Sequence, residues 1–310
     1  MATANPIPAT REEFYPTRLD EPMARFRRHE PVIHGGANAP GPLSPDELRQ
    51  FERDGFLAFP DFLPADQMRS FLDIMGELSR DQELLDRRRT IREPGSDEVR
   101  SIFAVHEISS RFRDLTRDPR LLDMARQILD GDVYIHQSRI NYKPGFKGKG
   151  FNWHSDFETW HSEDGMPRMR CVSFSILATE NNEFNGPLML IPGSHQWFVP
   201  CVGRTPEDNY KESLRNQTLG VPNTDHLAQL MDEGGIVAPK GGPGTLIMFE
   251  CNTLHASNAN MSAYPRSNLF FVYNSVENKL EEPYAGTKPR PEFLGARTNT
   301  PTLQPLDNAA

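Results

Sequence analysis

The chain carries nine histidines, and one of them has a carboxylate two positions on, in His154-Ser155-Asp156. On an extended strand, positions i and i+2 face the same way, so this imidazole and this carboxylate can meet one ion. His255 offers a third ligand in GTLIMFECNTLHASNAN, where an apolar strand is expected to end just before the histidine. Two imidazoles and one carboxylate on one face of an octahedral ion leave three positions open, a donor set that suits Fe(II) and its reactions with oxygen. Arg266 lies eleven residues beyond His255, at the start of the next strand-like run, YPRSNLFF. Its guanidinium fork can grip the distal carboxylate of a small diacid through two parallel hydrogen bonds.

Competing chemistries lack their residues. No HExxH is present for a zinc hydrolase, and no GxSxG elbow for a serine hydrolase. The three cysteines, Cys171, Cys201 and Cys251, are widely spaced with no CxxC pair, so a metal has to be held by histidine and carboxylate. His161 stands among Glu163 and Asp164 and is read as orienting a loop, and His195, in a Pro-Gly-Ser-His run, as contacting backbone. The net charge of −9 and the absence of a basic block exclude a nucleic-acid arm or a polybasic membrane anchor. No run approaches 18 apolar residues and the first residues lack a signal-peptide core, so a soluble, cytoplasmic protein is expected.

The elements that must position these residues fall into two textures. Helices come first. Ser44-Pro45 with Glu47 three residues on is a capping box, and Gly55 closes that helix. A short strand, 56–59, follows, and Pro64 opens a second helix to about Ser79 with a stripe of Met68, Phe71, Leu72, Met75 and Leu78. A third helix runs from Asp118-Pro119 to Leu129, with Gly131 as its stop. After that come short strand-like runs at 133–141, 170–178, 188–191, 245–249 and 268–276, joined by Gly, Pro and Asn turns. That order predicts a mainly β sandwich or jelly roll with flanking helices. The polar stretch 200–239 is too long for an ordinary connection and reads as a lid or a disordered segment.

The run 151–170, FNWHSDFETWHSEDGMPRMR, together with IHQSRINYK (135–143), NGPLMLIPGSH (185–195) and the 255–266 segment, resembles the phytanoyl-CoA dioxygenase superfamily of Fe(II)/2-oxoglutarate oxygenases. Within it, the long run is similar to the signature of the ectoine hydroxylases. The resemblance implies a double-stranded β-helix core of cupin-like jelly-roll type, with Fe(II) held by His154, Asp156 and His255. It further implies 2-oxoglutarate held by Arg266 and Ser257, in a pocket lined by Lys143, Phe151, Ser173 and Asn141. For the substrate, ectoine, it points to Gln137 and Trp160, with Thr159 nearby and an arginine from KPRPEF, Arg290. An aromatic face suits the amidinium of this small zwitterion and an arginine suits its carboxylate. The implied reaction consumes O2 and 2-oxoglutarate and yields 5-hydroxyectoine, succinate and CO2. A small residue in place of Asp156 would leave room for chloride on the metal, so its carboxylate favours hydroxylation over halogenation.

Two other functions stay open at this point, a related oxygenase acting on another small zwitterion such as proline and a non-catalytic binding module on the same fold. The chain is thereby divided into an N-terminal arm (1–43), a dioxygenase domain (44–295) and a tail (296–310). The domain has a helical first part (44–130) and a jelly-roll core (131–276). A homodimer is expected, with the arm as an element of its interface.

Overall fold

The computed structural model describes residues 12–306; residues 1–11 of the arm and 307–310 of the tail lie outside the described residues. Strands are numbered along the chain as β1 (Phe26–Arg27), β2 (Phe56–Phe59), β3 (Thr90–Arg92), β4 (Val99–Phe103), β5 (Val133–Lys143), β6 (Phe151–His154), β7 (Cys171–Leu177), β8 (Leu188–Leu190), β9 (Trp197–Phe198), β10 (Leu246–Glu250), β11 (His255–Ser257) and β12 (Arg266–Ser275). A seven-stranded sheet in the order β2-β10-β7-β12-β5-β4-β3 faces a three-stranded sheet, β6-β11-β8, and β1 pairs with β9. All ladders are antiparallel, which makes the core a jelly roll with flanking helices, as the run of short strands predicted.

Strand alternation sorts the side chains into two layers. Val172, Phe174, Ile176, Leu246, Met248, Leu269, Phe271 and Tyr273 join Leu48, Phe51, Met68, Phe71, Met75 and Leu122 of the helices in one large core on the outer face of the big sheet. Leu177, Ile247, Phe249 and Phe270 point the other way and close on Leu188 and Leu190 of the small sheet. The helices follow their local signals. Pro45–Asp54 begins with both halves of the capping box, Ser44 with Glu47, and ends on Gly55 at φ 82°. Ala65–Leu78 buries Met68, Phe71 and Met75. Pro119–Leu129 ends at Asp130, which takes the left-handed conformation (φ 51°) one residue ahead of the glycine marked as its stop.

Three segments differ from the sequence reading. First, the stretch 200–239 is folded, which removes the disordered alternative and leaves the lid reading standing. It carries the helices Tyr210–Ser213 and Thr224–Gly234, the latter capped by the Asn223 side chain, and it buries Tyr210 and Leu230. Second, folding information begins well ahead of Ser44. Tyr15 is fully buried against Phe157, Trp160 and Phe198, and β1 of the arm adds to β9. Third, β3 and β4 extend the large sheet beyond the strands read from the sequence. No helix of the described residues is long and apolar enough to cross a membrane.

Candidate active site

The small sheet sets the first two candidate ligands side by side. β6 and β11 pair with His154 opposite His255, so the imidazoles meet with ring centroids 4.2 Å apart. Asp156 reaches them by another route than the expected continuous strand. β6 stops at His154, and Ser155 accepts from the Glu158 N–H to cap a one-turn helix, Asp156–Thr159. That turn sends the Asp156 carboxylate back over the strand end, with Oδ1 3.6 Å from His154 Nε2 and 3.8 Å from His255 Nε2. His255 likewise opens its own strand, β11, a turn after β10 has ended.

Several features fit these three residues to a metal ion. Their candidate ligand atoms lie within 4.8 Å of one another, the one such cluster among the described residues. His154 Nδ1 lies 2.9 Å from the Asn152 carbonyl and His255 Nδ1 lies 2.9 Å from that of Thr253, so each Nδ1–H donates to backbone and each Nε2 keeps its lone pair. Asp156 Oδ2 is buried without a hydrogen-bond partner. Burial alone would raise the Asp156 carboxyl, but the His255 and His154 imidazoles and the Arg139 guanidinium outweigh it and hold it well below the usual carboxylate range. Burial and the adjacent His154 push His255 down to about 4. Around neutral pH, His255 is therefore a neutral nitrogen donor beside an ionised carboxylate, as ligands to a divalent ion must be.

One end of the pocket is cationic. Lys143 and Arg266 face each other as a register pair of β5 and β12, both buried. Lys143 Nζ donates to Ser257 Oγ (2.8 Å) and to the Asn258 carbonyl. An Arg266 NH2 donates to the Gly186 carbonyl (2.5 Å), while its Nε is buried with no partner. Burial and the charges of Arg266 and Arg100 push Lys143 down to about 6, and burial and Arg100 push Arg266 down to about 10. Arg100 itself is neutralised by Glu93 at 2.8 Å. A buried guanidinium and a buried amine that lack a carboxylate partner describe a place for an anion, which would restore the amine's charge. Asn141, which accepts from Ser101, and Phe151, whose ring edge meets His154 at 4.8 Å, line the same end. Ser173 does not reach the pocket lining: it is on the inward face of β7, with its hydroxyl fully buried and unpartnered.

The other end is assembled from scattered segments. Trp160 opens a π-helical turn, Trp160–Asp164, with His136 edge-on at 4.9 Å. Thr159 precedes it, and Gln137, whose amide donates to the Leu294 carbonyl, faces it from β5. Arg290 comes from the C-terminal segment and is gripped by Asp164 through Nε (2.8 Å) and an NH2 (2.6 Å). The structure therefore brings twelve of the thirteen residues singled out in the sequence to one pocket, Ser173 being the exception.

Sequence reasoning missed Arg139 and Gln217. Arg139 lines the pocket between the metal cluster and Gln137, donates to Gln137 Oε1, and lies over the Phe270 ring at 4.5 Å. No carboxylate among the described residues forms an ion pair with it. The signal was present: period-two alternation in QSRINYK sets Gln137, Arg139, Asn141 and Lys143 on one face. Gln217 belongs to the 200–239 stretch and carries no local pattern. Of the remaining histidines, His195 bonds the Glu52 carbonyl (3.0 Å) and His161 that of Met166 (2.8 Å), both fully buried.

Comparison with known proteins agrees with this geometry. Residues 51–268 match the family model for phytanoyl-CoA dioxygenase. The ectoine dioxygenase of Halomonas elongata is 54% identical over 289 residues, 93% of this chain and 87% of the relative. That of Bordetella bronchiseptica is 49% identical over 294 residues, 95% of this chain and 96% of the relative. Among solved structures, EctD from S. alaskensis with 2-oxoglutarate and 5-hydroxyectoine superposes with a TM-score of 0.85 at 44% identity, covering 95% of this chain and 98% of that one.

Proposed function

Because the chain belongs to the phytanoyl-CoA dioxygenase family, we propose that it hydroxylates ectoine to 5-hydroxyectoine, consuming O2 and 2-oxoglutarate and releasing succinate and CO2. The observation that carries this reading is one pocket with a two-histidine, one-carboxylate cluster between a cationic end and an aromatic end. Ectoine dioxygenases at about half identity over nearly the whole chain favour ectoine over proline or a binding-only role.

His154 Nε2, His255 Nε2 and the Asp156 carboxylate would hold the iron. Bound Fe(II) supplies the activation of O2 that couples decarboxylation of 2-oxoglutarate to hydroxylation of the substrate. The protein supplies position and exclusion of water. Arg266 and Lys143, with Ser257, take the distal carboxylate of 2-oxoglutarate, where the fork and the amine recover the charge partners they lack. Asn141 and Phe151 bound that end. At the other end the Trp160 face takes the amidinium of ectoine, with Gln137 and Thr159 beside it. For the ectoine carboxylate Arg139 is the cation with no acid of its own, whereas Arg290 is already paired with Asp164 and fixes the wall. In this reading the enzyme acts in the cytoplasm as a homodimer, which cell fractionation and sedimentation velocity check.

The direct test is anaerobic reconstitution with Fe(II), then aerobic incubation with 2-oxoglutarate and ectoine. Succinate and a mass gain of one oxygen on ectoine should appear together. Succinate alone would keep the oxygenase chemistry and reject ectoine; neither product from folded, iron-loaded protein would reject the enzyme.

A further inference from the structure

Arg18 lies in the arm, 140 residues from the helix that carries Asp156, yet it is almost wholly buried against that helix. Its Nε and one NH2 reach the two oxygens of Glu158 at 2.7 and 2.9 Å, with the two side chains 3% and 2% exposed. The same NH2 lies 3.2 Å from Glu163, and NH1 donates to Thr205. Thr17 adds a hydrogen bond to Glu158 (2.7 Å). Arg18 takes up this position with a left-handed backbone (φ 56°), a conformation unfavourable for a non-glycine residue and held only where the surroundings enforce it.

Glu158 passes this fixing on to the pocket. It is the third residue of the turn Asp156–Thr159, so a candidate metal ligand lies two residues before it and a pocket wall one residue after. The Thr159 hydroxyl is held between Glu158 Oε2 (3.5 Å) and the Gln217 amide (3.4 Å). The Gln217 carbonyl accepts from Asn152 (2.8 Å), and the Asn152 carbonyl orients His154. Gly220, at φ 72°, packs so closely that a β-carbon there would stand 2.3 Å from Glu158 and 2.8 Å from Arg18. Arm, metal-bearing turn and the 200–220 segment thus meet on one ion pair.

A buried ion pair is a poor device for stability alone, because apolar side chains of equal volume serve as well or better. A two-pronged guanidinium on a carboxylate does fix orientation. We propose that Arg18 is a positioning residue, which through Glu158 sets the Thr159, Trp160 and Gln217 wall against which the substrate binds; this rests on the ectoine reading above. Lys143 and Arg266 at the 2-oxoglutarate end are placed instead by the β5–β12 ladder.

The test is steady-state kinetics with each substrate varied in turn, alongside the ratio of succinate to hydroxylated ectoine. Arg18→Gln should raise the KM for ectoine about tenfold and form succinate in excess of product, with the KM for 2-oxoglutarate within about twofold of wild type. Arg18→Lys, which keeps the charge without the fork, should recover part of the loss. Arg18→Met combined with Glu158→Met removes both charges of the two-pronged pair, leaves Glu163 its hydrogen bond from Asn209, and should unfold at a higher temperature than Arg18→Met alone while keeping the ectoine defect. Folded single and double variants with wild-type ectoine KM and coupling overturn the assignment, as does an equal loss for both substrates. Wild-type protein that yields no hydroxylated ectoine overturns the substrate reading instead, and this assignment with it.

Discussion

The two ends of the pocket are built in opposite ways. At the cationic end Lys143, Asn141, Arg266 and Ser257 are ladder residues of β5, β12 and β11, and β5 and β12 hold each other through ten residue pairs. At the aromatic end Thr159 stands in a one-turn helix, Trp160 in a π turn, Gln217 in a long connection and Arg290 in a C-terminal segment without regular structure. Even Gln137, a strand residue, borders a slip in the β5–β12 register that leaves His136 without a partner. Backbone ladders place a side chain regardless of its neighbours, whereas the aromatic end is placed by side chains gripping side chains: Arg18 on Glu158, Arg290 on Asp164, Gln217 on Thr159. A substitution at the first end should therefore remove one contact, and a substitution at the second should move several.

The largest effect lies where the two ends join. Asp156→Ala, His154→Ala or His255→Ala should abolish metal retention and turnover together, exceeding the roughly 10- to 100-fold cost of disturbing only a ligand's hydrogen-bond partner. Metal content after gel filtration and succinate release measure both, and a variant that kept iron and activity would remove that residue from the cluster. Arg266→Ala comes next. Loss of a charge-assisted contact of about 2 to 3 kcal/mol corresponds to ~30- to 150-fold in the KM for 2-oxoglutarate, with the KM for ectoine nearly unchanged. Asp164→Asn probes the other end. It breaks the two-point grip on Arg290 while leaving the strand ladders in place, and should raise the KM for ectoine about tenfold, roughly 1.4 kcal/mol, with 2-oxoglutarate unaffected. If Asp164→Asn shifted both constants equally, the two ends would not be independent.

The same division decided what could be read from sequence. Strand starts at 133 and 188, the start at 246 to within one residue, and the helix begun at Ser44 follow from alternation and cap chemistry, which are local. Once those strands are placed, Lys143, Asn141 and Arg266 need only their parity. Ser173 shows where parity stops: it has the inward face of β7 but sits too deep to line the pocket. Arg139 was equally legible by parity and was passed over. The His-x-Asp pair converges through a cap at Ser155 rather than along one strand, a turn that a two-residue spacing does not distinguish from a strand. The helix Thr224–Gly234 had its cap in Asn223, but its stripe of Leu227, Leu230 and Met231 was masked by polar and proline-rich flanks. Arg18 could not be read at all, and Arg290 was reached only through the family resemblance, because their partners stand 140 and 126 residues away and only the folded chain makes them neighbours.

The smallest effect is a proton. Lys143 is pushed down to about 6 by burial and then by the charges of Arg266 and Arg100, so at about pH 7.5 its amine is largely neutral while no anion is bound. A carboxylate set against it favours the charged form and raises that value, so binding takes up a proton. The sign follows: 2-oxoglutarate affinity should be greatest below about pH 6, where Lys143 is already charged, and should fall as pH rises through the window between the free and the bound values. Calorimetric titration of 2-oxoglutarate into protein loaded with an inert divalent metal, in two buffers of different ionisation enthalpy, reads the uptake directly. It should approach one proton near pH 7.5 and vanish in Lys143→Met, which keeps the volume and removes the titrating group. Asp164→Asn, at the other end, should leave the uptake as it is. Proton uptake lost in Asp164→Asn, or retained in Lys143→Met, would mean that the charge of the anion is shared across the whole pocket rather than met at the strand-built end.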